Sequence, residues 1–209
     1  MSPVVTHPDA DHIGWQEEIG KLDIALYAAV AATPTPRLDR YFRSLSRAAD
    51  HSKLWIGSAA ALAAAGGRPG QRAAVNGLAS IAVSSAVVNL LLKPLSRRRR
   101  PDRRANEPAS FRHVAMPRST SFPSGHAASA FAFATGVGMA LPGTGLPITA
   151  TAALVAYSRV HTGVHYPSDA VVGSVIGAGW LRRSWPQSTT GAPSEPNGRL
   201  GRLSDLFDR

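Results

Sequence analysis

Cysteine is absent from the 209 residues, which excludes disulfides and thiolate metal sites and leaves the redox compartment unread. Lysine is nearly absent, since 20 of the 23 basic residues are arginine. An N-terminal apolar run is missing too. The first 20 residues carry Asp9, Asp11, Glu17 and Glu18, so no cleavable signal peptide is expected and membrane insertion must use internal segments. Long hydrophobic runs are scarce: among the apolar segments only Ala73–Leu92 reaches the ~20 residues expected of an average membrane span. The mean hydropathy is close to zero and 44% of residues are hydrophobic, figures that by themselves suit a soluble globular protein.

What is present is unevenly distributed. Apolar, alanine-rich blocks fill the middle of the chain, and charge sits in short runs and at both ends. The formal net charge is +10, carried by a side chain whose planar fork suits phosphate and which keeps its charge when partly buried. Such an excess implies an anionic partner: nucleic acid, acidic headgroups or a phosphorylated substrate.

Helical periodicity begins at Trp15, with Ile19, Leu22, Leu26 and Val30 on one face until Pro34 and Pro36. Leu38, Tyr41, Phe42 and Leu45 then alternate with Arg37, Arg40, Arg43 and Arg47, an amphipathic pattern suited either to a membrane interface or to packing on the protein. Apolar segments follow at 54–65, 73–92, 127–141, 146–157 and 167–181, rich in Ala, Gly and Ser and including the pair Gly173 and Gly177, which lets membrane helices approach closely. Successive uncharged helices lack the polar face of a soluble bundle. The expectation is an all-α, integral-membrane bundle of about five to six helices, either Lys21–Thr33 or the arginine-faced helix serving as the sixth. Residues 1–14 read as a polar segment, 15–183 as the membrane domain and 184–209 as a mostly disordered tail. Helices are expected over about 15–33, 37–50, 53–66, 72–93, 125–141, 146–160 and 167–183, with an Arg- and Pro-rich loop at 94–124 of a length that is usually functional.

Three polar clusters interrupt the apolar chain: Lys93 with Arg100 and Pro101; Pro123-Ser124-Gly125-His126; and Ser158-Arg159 with His165 and Asp169. If the helix ending at Lys93 leaves the membrane, counting spans returns all three to one face, as a single site requires. Lys93, Arg100 and Arg159 supply cations for a phosphoryl group, whose transfer needs positioning and charge stabilisation. Ser124 is placed to cap a helix, Gly125 permits close backbone approach, and a helix N-terminus is a phosphate cradle. His126 is then a general acid. His165 and Asp169, four apart, share a face if helical, with the carboxylate orienting one ring nitrogen and freeing the other to attack phosphorus.

These blocks, in this order, resemble the signature of the type 2 phosphatidic acid phosphatase superfamily, which includes lipid phosphate phosphatases, polyprenyl pyrophosphate phosphatases, glucose-6-phosphatase and vanadium-dependent haloperoxidases. The resemblance spans residues 93–169 and eleven specified positions. It implies a phosphatidic acid phosphatase/haloperoxidase-like helical core, His165 as a nucleophile forming phosphohistidine, Asp169 as its partner, and His126 as proton donor. Lys93, Arg100, Ser124, Gly125 and Arg159 would hold the phosphate, and no metal or other cofactor would be needed. The partners implied are a lipid phosphate and the bilayer of the cell's inner membrane, crossed several times, and no nucleic acid. Candidate substrates are phosphatidate, phosphatidylglycerol phosphate, polyprenyl pyrophosphate and polyprenyl-linked sugar phosphates; the motifs grip only phosphate and do not choose among them.

Other readings attach to single features. Arg97–Arg104 alone suits a positive-inside anchor or a nucleic-acid patch, as in a non-catalytic basic membrane protein. The same phosphate site could hold vanadate for halide oxidation, although the short chain and uncharged helices argue against it. His161 and His165 have a spacing that suits zinc but lack a neighbouring carboxylate. His161 is otherwise unassigned, and His7, His12, His51 and His113 read as surface residues. Sidedness stays open, because a phosphate site needs cations whichever face it occupies, and oligomeric state is not legible.

Overall fold

The structure, a computed structural model, describes residues 9–103 and 112–184. The expected disordered tail beyond residue 184, and His7, lie outside the described residues. Seven helices are present among them: α1 (Asp9–Ala32), α2 (Pro36–Ala48), α3 (Lys53–Ala65), α4 (Gly67–Ala86), α5 (Gly125–Ala140), α6 (Gly145–His161) and α7 (Pro167–Ser184). Both candidates for a sixth helix are therefore helical. α4 does not stop at Ala86 but runs through a π-helical turn, Val87–Leu92, into one last turn, Lys93–Leu95. Among the described residues only this continuous helix, Gly67–Leu95, is long and apolar enough by length and composition to cross a membrane.

α5 is the axis of the bundle. Its alanines from Ala127 to Ala134, with Phe133 and Val137, are buried, as suits a helix without a polar face. It packs against α4, α6 and α7. Glycines set how closely. A Cβ on Gly173 would lie 2.4 Å from the Ser124 carbonyl oxygen, and one on Gly177 2.2 Å from that of Ala128, so α7 presses its small-residue face onto the start of α5. Gly136 of α5 does the same against Asn76 and Ser80 of α4. Gly67, at φ +55, makes the turn from α3 into α4, a conformation that costs a glycine little.

The N-terminal helices face opposite to a soluble protein's. In α1 the buried residues are Asp23, Tyr27 and Ala31, while the periodic apolar set Trp15, Ile19, Leu22 and Leu26 is exposed. In α2 the buried stripe is Asp39, Phe42 and Ser46, and Leu38 and Tyr41 point outward. Of the apolar face anticipated for α2, only Phe42 is buried and Leu45 half-buried. The reason is polar: Asp39 is taken by Arg112 and His161, and Ser46 by Arg159. Elsewhere the outward surface carries Ile56, Val75, Leu90, Leu91, Val171 and Val175. Large apolar side chains thus face outward on α1, α2, α3, α4 and α7, the placement expected of a surface that meets a membrane or another protein.

Candidate active site

At the end of the bundle where α4 stops and α5 and α7 begin, the three sequence clusters converge. The arginine run leaves α4 extended, so its side chains alternate: Arg97 and Arg99 are exposed while Arg98 and Arg100 turn inward. Arg100 crosses the site. Its Nη1 donates to the Val164 carbonyl at 2.7 Å and lies 3.2 Å from His165 Nε2, and its Nη2 reaches Ser119 Oγ and the Thr120 carbonyl. Burial, the largest influence, lowers the Arg100 pKa from its ordinary value.

That contact fixes the tautomer of His165. A guanidinium has only donors, so the Nε2 facing it must carry a lone pair, and the ring proton belongs on Nδ1. Nδ1 lies 3.4 Å from Asp169 Oδ2, an ion-pair distance without hydrogen-bond geometry. Burial dominates the ring's titration and, with help from the Arg100 and Arg159 charges, pushes the His165 pKa down to about 4 against the pull of Asp169.

The helical reading of the His165–Asp169 pair needs correction. His165 sits in the turn before α7, which starts at Pro167, a residue whose fixed φ and missing N–H suit the first helical position. Asp169 is two residues further on, and its Oδ2 accepts from the Tyr166 backbone N–H at 2.9 Å, the reach-back half of a capping box. The two side chains meet because a capped helix start folds the turn onto itself. Asp169 also accepts from Ser121 Oγ at 2.5 Å and Arg98 Nη1 at 2.9 Å, and its carbonyl accepts from Ser124 N at 3.0 Å, which joins the second cluster to the third.

Ser124 caps α5 as expected: its buried Oγ accepts from Ala127 N at 3.4 Å. The cap uses a lone pair of the oxygen and leaves its O–H proton to donate, so this residue offers an anion its hydroxyl as well as the helix end it fixes. Gly125 follows, and a Cβ there would lie 3.6 Å from Lys93 Nζ, an ordinary contact; the glycine leaves room rather than relieving a clash. Lys93 Nζ donates to Ser119 Oγ at 3.2 Å, the same hydroxyl Arg100 reaches. Arg159 is buried at the end of α6, with Nη1 on Ser46 Oγ at 2.6 Å and 3.3 Å from Asp50 Oδ1. Asp50 Oδ1 in turn lies 2.9 Å from His126 Nε2, and that hydrogen bond is the main cause holding the Asp50 carboxyl below its usual value. All eight sequence-anticipated residues are thus linked at one end of the bundle.

The residues missed are carboxylates and hydroxyls from outside the motifs. Asp50, between α2 and α3, pairs with both His126 and Arg159. Asp23 of α1 accepts from Arg98 Nη2 and Ser168 Oγ, both at 2.5 Å, and from Ser168 N at 2.9 Å, so it holds the first turn of α7. Ser119 and Ser121 stand in a loop whose sequence gives them no distinguishing pattern. His161, unassigned from sequence, has its Nε2 2.8 Å from buried Asp39 Oδ1 on α2, away from His165's partners. His51 is exposed, as expected, and borders the pocket described below. Among the described residues no group of three His, Cys, Asp or Glu is arranged to hold a metal.

The PAP2 superfamily model matches residues 73–191, more than half the chain. The chain belongs to the PAP2 superfamily. It is a phosphatase of that family. Decaprenylphosphoryl-5-phosphoribose phosphatase of Mycobacterium tuberculosis is 36% identical over 159 residues, covering 75% of this chain and 85% of the relative. The Mycolicibacterium smegmatis protein of the same name is 39% identical over 156 residues, covering 72% and 78%. Two solved structures share the fold at 22% identity: the transmembrane PAP2-type phosphatidylglycerolphosphate phosphatase of Bacillus subtilis, with a TM-score of 0.59 over 77% of this chain and 81% of that one, and Aquifex aeolicus LpxE, with 0.56 over 75% and 90%. The fold is shared with these two proteins. Asp23 and Asp50 both lie outside the family match, which begins in α4.

Proposed function

We propose that this PAP2 phosphatase removes a phosphate monoester from a lipid-linked substrate through a phosphohistidine on His165, without a metal. The observation that carries the reading is the acceptor nitrogen of His165 facing the Arg100 guanidinium. A phosphate anchored by Arg100, Lys93, Arg159 and the α5 N-terminus would bring phosphorus to that lone pair. Nε2 attacks, the P–O bond to the alcohol breaks, and His126 delivers the proton that the departing oxygen needs. Asp169 steadies the positive charge that develops on the His165 ring. Water then attacks the phosphohistidine and frees inorganic phosphate, with His126, now neutral, able to take the water's proton. Positioning and charge neutralisation by the three cations supply most of the acceleration such a transfer requires.

The inner membrane, crossed several times, is the compartment this reading implies; the apolar outward faces of α1, α3, α4 and α7 support it. The names of the mycobacterial relatives favour a polyprenyl-linked sugar phosphate among the candidate substrates. Phosphate release from a panel of lipid phosphates, with EDTA present, is the test. Wild type is expected to turn over and His165→Ala to lose at least about a thousandfold. Rapid quenching should trap an acid-labile, base-stable phosphoenzyme in wild type alone. Full activity of His165→Ala would overturn the mechanism, and loss of wild-type activity in EDTA would overturn its metal independence.

A further inference from the structure

We infer that the pocket beside His126 is a sugar subsite, in which Asn89, Ser85 and Ser129 bind the hydroxyl groups of the pentose that carries the scissile phosphate. The inference rests on the proposed role of His126. A proton donor to the leaving oxygen stands next to the carbon bearing that oxygen, so the space His126 borders is where the alcohol must sit. That space is a cavity of about 180 Å³ between the α2–α3 turn, α4 and α5. Liquid water occupies ~30 Å³ per molecule, so the cavity has room on the scale of a single sugar ring.

The walls are polar where apolar helices would otherwise meet. Lys93, Asn89 and Ser85 come from α4, and Ser129 and His126 from α5. The hydroxyls of Ser85 and Ser129 lie 3.3 Å apart. A Cβ on Gly125 would stand 3.6 Å from Lys93 Nζ and 3.9 Å from Asn89 Oδ1, so the amide oxygen and the ammonium border the same opening. Amide and hydroxyl groups both donate and accept, as recognition of a polyol requires. By contrast, a larger apolar cavity of about 590 Å³ is lined by α1, α5, α6 and α7 and includes neither Lys93 nor His126.

The π-turn explains the alignment. Ser85, Asn89 and Lys93 are spaced by four, and in an α-helix each such step drifts by about 40° around the axis. The i→i+5 turn at Val87–Leu92 has more residues per turn and takes that drift back. All three side chains consequently reach one cavity, from the exposed end of a helix whose other outward residues there, Leu90 and Leu91, are apolar.

The experiment compares kcat/KM for a farnesylphosphoryl-5-phosphoribose with that for farnesyl phosphate, which has no hydroxyl, in detergent. Asn89→Ala is expected to lower the ratio of the two about tenfold, and Ser129→Ala about fivefold, the scale of one lost hydrogen bond. An unchanged ratio in both variants would overturn the subsite. Should Asn89→Ala not fold, Ser85→Ala and Ser129→Ala carry the same comparison. Wild type that hydrolyses farnesyl phosphate but not the phosphoribose lipid would also overturn the subsite while leaving the phosphatase mechanism standing. Wild type inactive on both would remove the mechanism and the subsite together.

Discussion

His165 is the residue on which acid and base behaviour turns. An imidazole pushed down to about 4 stays neutral, and so able to attack, across the range where a free histidine would protonate. The sign follows from that depression. Protonation consumes the lone pair, so the proposed mechanism has phosphoenzyme formation lost as pH falls through the folded pKa, near 4 rather than near 6.5. Single-turnover phosphorylation with p-nitrophenyl phosphate, whose leaving group needs no proton, should be half-maximal near pH 4. The same shift makes the unfolded chain the better proton binder between these two values, so His165 lowers stability as pH drops through that window. Asp50 is the second residue of interest, because it orients His126 and neutralises Arg159 together. Asp50→Asn should cut kcat about tenfold or more for an alkyl phosphate and far less for p-nitrophenyl phosphate, the contrast expected when proton delivery is impaired. Equal losses on the two substrates would assign Asp50 a merely structural role.

At the scale of elements, the site depends on how α7 meets α5. Gly173 and Gly177 let the helices close until the Ser124 and Ala128 carbonyls fill the space of the missing side chains. That contact sets the distance between the α5 N-terminus and the turn holding His165 and Asp169. Gly177→Leu should therefore force the helices apart, costing about 1–3 kcal/mol of stability and most of the activity, read by thermal denaturation in detergent and by phosphate release. α1 contributes from outside the family match: Asp23 ties it to Arg98 and to the first turn of α7, a polar anchor on a helix whose apolar residues mostly face away from the protein. Arg112 makes a second tie, donating to carbonyls of Val30, Ala31 and Thr33 at the end of α1 while lying 2.7 Å from Asp39 of α2.

For the whole molecule, helix direction places the loop after α4 and the starts of α5 and α7 at one end, and the α3–α4 and α5–α6 turns at the other. The absence of cysteine permits a clean test. Single cysteines at Arg99 and Gly143 should label with a membrane-impermeant maleimide from opposite sides of sealed vesicles; labelling from the same side would refute a spanning arrangement.

Sequence by itself determined the family and the order of the candidate site residues along the chain. Three motif blocks, each at the end of an apolar segment, name the candidate cations and the two imidazoles that packing gathers at one end of the bundle. It also determined where helices form, because alanine-rich periodicity and the capping residues Ser124 and Pro167 are local signals. Only tertiary structure decided which way α1 and α2 face, since periodicity locates an apolar face but cannot say whether protein or lipid covers it. It alone brought Asp50, Asp23 and Arg98 to the site. A lone carboxylate between two helices, or one arginine within a run, carries no local mark of its partner, and pairing across more than seventy residues is fixed by packing.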